Sequence, residues 1–434
     1  MKIKAKIKQF IPTSLFNSIE PTGHAVEALY YSYRYGRPAH GMHVIGVTGT
    51  NGKTTTCFMI YQMLLDAGYK VGLMTTVAHG YMHDIKPQME HMTTVSTKLL
   101  NQRLKNLQQR GCEWLVLETT SHALAQHRVL GIPYEIAVFT NLTHEHLDYH
   151  GTFERYRSAK RKLFEITNRN PFGFGVVNAD DPNASTFTSA LEHHETYGIE
   201  GGDLRASDIK LTANGSDFVA TIGGNNYQIR CNIPGRFNIA NSLAAIAVGR
   251  RLGLDKGQIE RGIANLKNVE GRMNTVDAGQ PFSVIVDFAH TPDSFEKLLS
   301  DLRGSTNGKL IVLFGSAGRR DESKRTVQGA IAGKYADEVI LTEEDDRDID
   351  GNKILDQIAA GAEKSGKTRD QDLFLILDRP SAIRFAMTRA HNAADTVILL
   401  GKGHEKTIER ADGVHPWNET DQALQAIKAR SSAN

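Results

Sequence analysis

Short aliphatic runs alternate along most of this chain with stretches whose apolar positions recur every three or four residues. HVIGV (43–47), WLVLE (114–118), EIAVFTNL (135–142) and FGVVN (174–178) read as strands, while CFMIYQMLLDAGY (57–69) and FERYRSAKRKLFEIT (153–167) carry the helical period. Strands that alternate with helices predict an α/β fold with a parallel sheet wrapped by helices. Between about residues 208 and 232 the rhythm changes to IKLTANGSDFVATIGGNNYQIRCN, whose Asn-Gly and Gly-Gly-Asn-Asn turns predict a small antiparallel insertion. The helical NIANSLAAIAVGRRLG follows it. After GRMNTV (271–276) the strand-helix rhythm restarts with SVIVDFAH, KLIVLFG, EVILTEED, LFLILD and TVILLGKG, enough for a second, Rossmann-like α/β domain. Ahead of all this, HAVEALYYSYRYG (24–36) places Val26, Leu29, Tyr30 and Tyr33 at helical spacing. That pattern predicts one helix docked through those four side chains.

Composition narrows the classes. A chain of 434 residues holds two or three domains of ordinary size. Its 51 Lys and Arg against 49 Asp and Glu leave a net charge of +2, which supplies no global field for nucleic acid or acidic lipid, so any anion site must be local. Three scattered cysteines make neither a disulfide framework nor a zinc cluster, which fits a reducing compartment. The start MKIKAKIKQFIPTSLF is basic but has no continuous apolar core, and no stretch has the length of a membrane span. These features read as a soluble cytoplasmic protein without membrane insertion, most simply a monomer.

The candidate chemistry begins where HVIGV runs into TGTNGKTTT and then a helix, the setting in which backbone N–H groups cradle phosphates. Gly49 and Gly52 allow close approach, Lys53 can reach the β- and γ-phosphates, and the Thr54 hydroxyl can hold Mg²⁺. The strict spacing asks for glycine at 47, where Val47 stands beside Gly46. An ATP-type nucleoside triphosphate is the expected ligand. Glu118 closes WLVLE at its carboxyl end, where ligands gather in open α/β sheets. His146 stands in a segment crowded with His144, Asp148 and His150. Lys160 shares the apolar stripe of Phe153, Tyr156, Leu163 and Phe164, so it is either a buried ammonium needing a partner or chemical change, or a lysine snorkelling from the stripe's edge.

At this point the motifs match a family. GVTGTNGKTTT, ETTSHALAQHRV, TNLTHEHLDYHGTFERYRSAKRKLF, GRFNIANSLAA, EGRM, DFAHTPDS, GSAGRRDESKR and GKGHE, in this order, resemble the Mur ligases, most closely the UDP-N-acetylmuramoyl-tripeptide synthetase type. The resemblance implies an ATP-dependent amide ligase that adds an amino acid to a nucleotide-linked muramoyl peptide through an acyl phosphate. The strand-helix rhythm divides the chain into a short helical extension (1–43), a central phosphate-loop domain (44–270) and a C-terminal Rossmann-like domain (271–434), to which the resemblance assigns ATP binding and ligation. Gly49, Thr50, Asn51, Gly52, Lys53, Thr54 and Thr55 would take the triphosphate, with Asn238, Asn241, Arg272 and Asp287 on the nucleotide. Thr54, Glu118, His146 and a carbamylated Lys160 would hold two Mg²⁺ ions. Thr93, Thr94, Thr120, Gln126 and Arg128 would face the muramoyl peptide, and Arg320, Arg347, Gly401 and Glu405 the incoming amino acid.

Two departures set further expectations. Members of this type usually carry an N-terminal domain for the UDP end of the acceptor, whereas 45 residues precede Gly46. The uridine is therefore expected to go unread by this chain, and a second protein could supply the front domain. Diaminopimelate-adding members have Asp-Asn-Pro-Arg where this chain has Glu344-Asp345-Asp346-Arg347. Arg347 can still hold a carboxylate and Asp345 can hold an amino group, which points to a diamino acid. The other readings are a folylpolyglutamate or poly-amino-acid synthetase of the same superfamily, or a nucleotide-binding partner without ligase activity.

Overall fold

A computed structural model describes residues 13–90, 92–212 and 214–433. The basic start, on which the reading of the N-terminus rests, lies outside the described residues. The described residues divide into two compact units, one running up to residue 207 and taking in 219–228 and 240–265, the other taking in 208–218, 229–239 and the residues from 266 onward.

The first unit is built on strands β1 (His43–Thr48), β2 (Val71–Met74), β3 (Ala78–Tyr81), β4 (Asp84–Pro87), β5 (Trp114–Glu118), β6 (Tyr134–Phe139), β7 (Phe174–Asn178) and β8 (His194–Gly198). They stand in the order β8-β7-β6-β1-β5-β2-β3-β4. The pairings β1 with β5 and β6, β2 with β5, β6 with β7 and β7 with β8 are parallel, while β3 and β4 form an antiparallel edge. Helices cover both faces, which is why the middles of β1, β5 and β6 run apolar and buried rather than alternating. Val44, Leu115, Leu117, Ala137 and Phe139 meet Tyr156, Leu163 and Phe164 of the helix Phe153–Thr167 in one core. Chain order reverses on either side of β1. The loop after β1 therefore opens at the switch point where ligands of such sheets bind.

Strands β9 (Leu204–Thr212), β10 (Gly215–Ile222) and β11 (Asn225–Cys231) form the expected insertion and extend the sheet beyond β8. The β10–β11 connection uses Gly223 and Gly224 at φ 52° and 79°, the left-handed pair that a two-residue hairpin turn demands.

In the second unit β12 (Asn274–Thr275), β13 (Ser283–Asp287), β14 (Leu310–Phe314), β15 (Glu338–Leu341), β16 (Leu373–Leu375) and β17 (Thr396–Leu400) stand in the order β12-β13-β17-β14-β15-β16. All pair in parallel except β12. A hairpin of β18 (Thr407–Arg410) and β19 (Gly413–Pro416) follows. The motifs near Asp345 and Lys402 thus leave the carboxyl ends of β15 and β17.

The N-terminal helix corrects one expectation. Residues Thr13–Arg34 are helical, but Val26, Leu29, Tyr30 and Tyr33 are 62, 44, 60 and 65% exposed. The helix turns Ala28 and Ser32 inward instead and packs on the helix Thr97–Gln109. Small side chains let the two backbones approach, and tyrosines at 30, 31, 33 and 35 put apolar surface on more than one face, so spacing alone selected the wrong one. The cysteines Cys57, Cys112 and Cys231 are free and buried. No helix among the described residues is long and apolar enough to cross a membrane.

Candidate active site

The phosphate loop joins β1 to the helix Lys53–Asp66. Gly49 and Gly52 have φ of 151° and 82°, and a Cβ would lie 1.9 Å from Thr140 Oγ1 at the first and 2.4 Å from Asn241 Oδ1 at the second. Only glycine fits either place. Gly46 serves another purpose: it lies inside β1, where a Cβ would come within 2.6 Å of the Tyr134 ring. The loop is tied to the end of β6 by Thr50 N to Asn141 O (2.8 Å), Asn51 N to Asn141 Oδ1 (2.9 Å) and Thr140 Oγ1 to Asn51 O (2.6 Å). The first intrahelical bond is Thr56 N to Gly52 O at 2.9 Å. The amides of Gly52, Lys53, Thr54 and Thr55 therefore precede the helical ladder, at the positive end of the helix dipole. Lys53 Nζ folds back to donate to Thr50 O at 2.7 Å.

Beside this loop, Thr54 Oγ1 donates to Glu118 Oε2 at 3.0 Å, and Thr76 N donates to the same oxygen at 3.0 Å. Glu118 is buried at the end of β5, opposite Val47 of β1. The hydroxyl and carboxylate expected to hold a metal are thus adjacent.

Lys160 does not snorkel. It is 2% exposed, its Nζ donates to Gly49 O at 2.5 Å, and it lies 4.6 Å from the centre of the Tyr156 ring. Desolvation, reinforced by Lys53 and opposed by Glu145 and Glu118, holds its pKa well below the ordinary lysine value. His146 takes the left-handed conformation (φ 57°) at the N-terminus of the turn Leu147–His150. Its ring stands 4.7 Å from His122 and 6.0 Å from Tyr156, and its Nε2 lies 3.8 Å from Glu145 Oε2.

Oxygen donors suit Mg²⁺. No group of three or more His, Cys, Asp and Glu side chains among the described residues makes a metal site alone. Thr54 and Glu118 supply a hydroxyl and one carboxylate, and Lys160 adds a buried amine whose charged form is disfavoured. The residues present therefore fit the ion.

Next to Glu118, Thr94 Oγ1 donates to Glu118 O at 2.9 Å and accepts from Thr120 N at 3.2 Å, and Thr76 Oγ1 donates to Thr93 Oγ1 at 2.9 Å. Thr120 caps the helix Ser121–Ala125, and Gln126 ends it. Arg128 is buried, and its guanidinium donates to the carbonyls of Thr94 and Val95. The four threonines thus form two hydrogen-bonded branches from Glu118, Thr76–Thr93 from its carboxylate and Thr94–Thr120 from its carbonyl, and Arg128 ties down the segment that carries Thr94. Asn241 belongs to this unit and accepts from Thr56 Oγ1 at 3.2 Å.

The second unit carries the other residues. Asn238 Nδ2 donates to Pro234 O at 2.6 Å. Asp287 is buried and accepts from Met273 N and Ala289 N, each at 2.7 Å, while the Arg272 guanidinium lies 4.8 Å from the Phe288 ring. Arg347 has φ 58°, and its Nε donates to Glu409 Oε2 at 2.8 Å. Fully buried Lys402 bridges Asp345 Oδ1 (2.8 Å) and Glu405 Oε2 (2.6 Å). A Cβ on Gly401 would lie 2.7 Å from Glu344 Oε2, and Arg320 is exposed. Burial and neighbouring carboxylates push Asp346 from 3.8 to about 6.

Sequence reasoning missed Asn141, Tyr156, Lys402 and Glu409 as participants. Tyr156 and Lys402 lay inside quoted motifs, whereas no pattern singled out Glu409.

Residues 47–249 match the Mur ligase middle domain, and residues 271–403 match the Mur ligase glutamate ligase domain. The chain belongs to the Mur ligase family. It is 40% identical over 407 residues to a UDP-N-acetylmuramyl-tripeptide synthetase of Roseiflexus sp. strain RS-1, covering 91% of this chain and 80% of that protein. It is 37% identical to a UDP-N-acetylmuramoyl-L-alanyl-D-glutamate–2,6-diaminopimelate ligase of Syntrophomonas wolfei, covering 94% and 83%. A solved 2,6-diaminopimelate ligase of that kind superposes with a TM-score of 0.67 at 28% identity, covering 95% of this chain and 83% of the other. Mur ligases are ATP-dependent enzymes that form amide bonds in peptidoglycan synthesis, and this chain is such a ligase.

Proposed function

We propose that this Mur ligase adds a diamino acid to a UDP-N-acetylmuramoyl dipeptide or related precursor in the cytoplasm. The observation that carries the site assignment is the joining of the Lys53–Thr54 loop to Glu118 and buried Lys160. A carboxylate is a poor electrophile; transfer of the γ-phosphoryl group to the acceptor's carboxylate makes an acyl phosphate, which the incoming amine attacks with release of phosphate. Lys53 would swing from Thr50 O to the β- and γ-phosphate oxygens, and the amides of Gly52–Thr55 would fix the triphosphate, since such catalysis rests on positioning and charge stabilisation. Bound Mg²⁺ supplies Lewis-acid neutralisation of the transferring phosphoryl group.

Thr54, Glu118, His146 and Lys160 would hold it. Burial disfavours the ammonium form of Lys160, and its amine is suited to attack CO₂, forming an N–C bond and releasing one proton, so that the resulting carbamate is an anion where an ammonium would repel the metal. Thr93, Thr94, Thr120 and Gln126 would orient the acceptor's carboxylate end, with Arg128 supporting their loop. Asn238, Asn241, Arg272 and Asp287 would contact the nucleotide.

The diamino acid is favoured by charge. Asp345 and Glu405, both held by Lys402, offer carboxylates to a substrate ammonium, while Arg347 can exchange Glu409 for a substrate carboxylate. The diaminopimelate-adding relatives point the same way. The test is phosphate release across a matrix of muramoyl-peptide acceptors and amino acids. Turnover confined to a monoamino acid would overturn the diamino assignment, and turnover only with folates or poly-amino acids would overturn the acceptor class.

A further inference from the structure

The antiparallel edge of the first unit encloses a feature that the ligase chemistry does not use. Between β2–β4 and the helix Thr97–Gln109 lies a cavity of about 230 Å³ lined by His79, Lys86, Arg103 and Arg110, with Gln102 and Asn106 among its other polar walls. Its placement follows from register. Met74 pairs with His79, and His79 pairs with Lys86, so three side chains rise on one face of the edge. The helix lays Arg103, Asn106 and Arg110 over them at spacings of three and four.

The charges there are unequal. Arg110 is neutralised by Asp84 at 3.0 Å. Arg103 donates to the uncharged Gln88 Oε1 at 2.9 Å, and neither it nor Lys86 has a carboxylate within ion-pairing distance among the described residues. Glu90 is the more distant acid that Arg103 feels. Burial, Arg103 and Lys86 together hold the His79 imidazole at about 4, so it is neutral at pH 7 although cations surround it. Asp84 also lines the cavity but is taken up by Arg110, so the charges of Lys86 and Arg103 are left unbalanced among the described residues. The cavity's volume lies below the roughly 300–1,000 Å³ typical of drug-sized ligands, which favours a small one.

We propose that this cavity is a second phosphoryl-binding site, distinct from the ATP loop, in which Lys86, Arg103 and His79 hold a phosphate or diphosphate group. The group has two sources, the diphosphate bridge of a nucleotide-linked acceptor or free inorganic phosphate and pyrophosphate. An anion seated there favours the charged form of the imidazole and so raises the His79 pKa above about 4.

The experiment titrates inorganic pyrophosphate into the full chain carrying Lys53→Ala, which weakens the ATP loop as a competing anion site. Calorimetry should show saturable binding at or below about 1 mM, weakened at least about tenfold by Lys86→Ala or Arg103→Gln and retained in Arg103→Lys. Lys86 is exposed on an edge strand, so its variant keeps the test valid should Arg103→Gln fail to fold. NMR should move the His79 midpoint upward from about 4 on saturation. Absence of saturable binding, binding indifferent to both variants, or an unmoved His79 would overturn the site.

The source is read separately, in ligation with and without the UDP group on the acceptor, an arm that rests on the ligase reading as the titration does not. A KM raised about tenfold by Arg103→Gln for the UDP-linked acceptor alone assigns the site to the acceptor's diphosphate. Unchanged KM values for both, with pyrophosphate still bound, assign it to free phosphate.

Discussion

The Nζ of Lys160 lies 2.5 Å from the carbonyl oxygen of Gly49, which joins the helix Phe153–Thr167 to the first residue of the phosphate loop. Through this contact a side chain on the apolar stripe of a helix reaches the nucleotide site. Its solvation is traded for one backbone oxygen and an aromatic face, too little to keep an ammonium comfortable inside a protein.

Lys160→Ala is therefore expected to be inactive, and short carboxylates such as acetate should restore part of the activity because the missing group is an anion. Carbon-13 NMR after equilibration with labelled CO₂ should show a carbamate signal in wild type that is absent from the variant. An unmodified ammonium at neutral pH would contradict the proposal.

Lys53→Ala should lower acceptor-dependent phosphate release by about 10²- to 10³-fold, the usual consequence of deleting one positioned donor to developing charge. Steady-state assays at saturating ATP check it. Activity within about threefold of wild type would remove the loop from the mechanism.

Arg347→Ala should raise the KM for the amino acid at least about tenfold while changing that for ATP little. The deletion leaves Glu409 without its 2.8 Å partner, so thermal unfolding should be measured alongside. Equal effects on both substrates would remove Arg347 from amino-acid recognition.

Asp346 gives a prediction with a definite sign in pH. Its folded pKa, about 6, lies above the unfolded value of 3.8, so the native state binds more protons across that window and this residue makes stability fall as pH rises through it. Asp346→Asn should stabilise the chain at pH 7–8 by roughly 1–2 kcal/mol after allowing for solvent screening. The gain should vanish below about pH 4. Urea unfolding at pH 4, 6 and 8 measures it, and a gain independent of pH would exclude the titration as its cause.

Strands and helices of both units were legible because aliphatic runs in a two-sided parallel sheet and a 3.6-residue period are local signals. The phosphate loop was legible for the same reason: Gly49, Gly52, Lys53 and Thr54 act within six residues of one another, and backbone geometry imposes their types. The stripe around Lys160 announced a buried amine, but a snorkelling lysine writes the same pattern. The choice depended on how deeply the helix sits against β1 and on Gly49 O arriving from 111 positions away.

Other features were beyond any local pattern. HAVEALYYSYRYG offered several apolar faces, and the close fit of Ala28 and Ser32 decided which turned inward. Asp345 and Arg347 stood in the sequence as charges ready for a ligand, while the fold gave them Lys402 and Glu409 as partners over separations of 57 and 62 residues. The sequence by itself determined the elements, the loop that must hold phosphate and the residue types at hand. Tertiary structure decided which charges are paired, which are dehydrated and which remain unbalanced, because desolvation and Coulomb energy depend on neighbours in space and on distance to water, and neither is written in the order of residues.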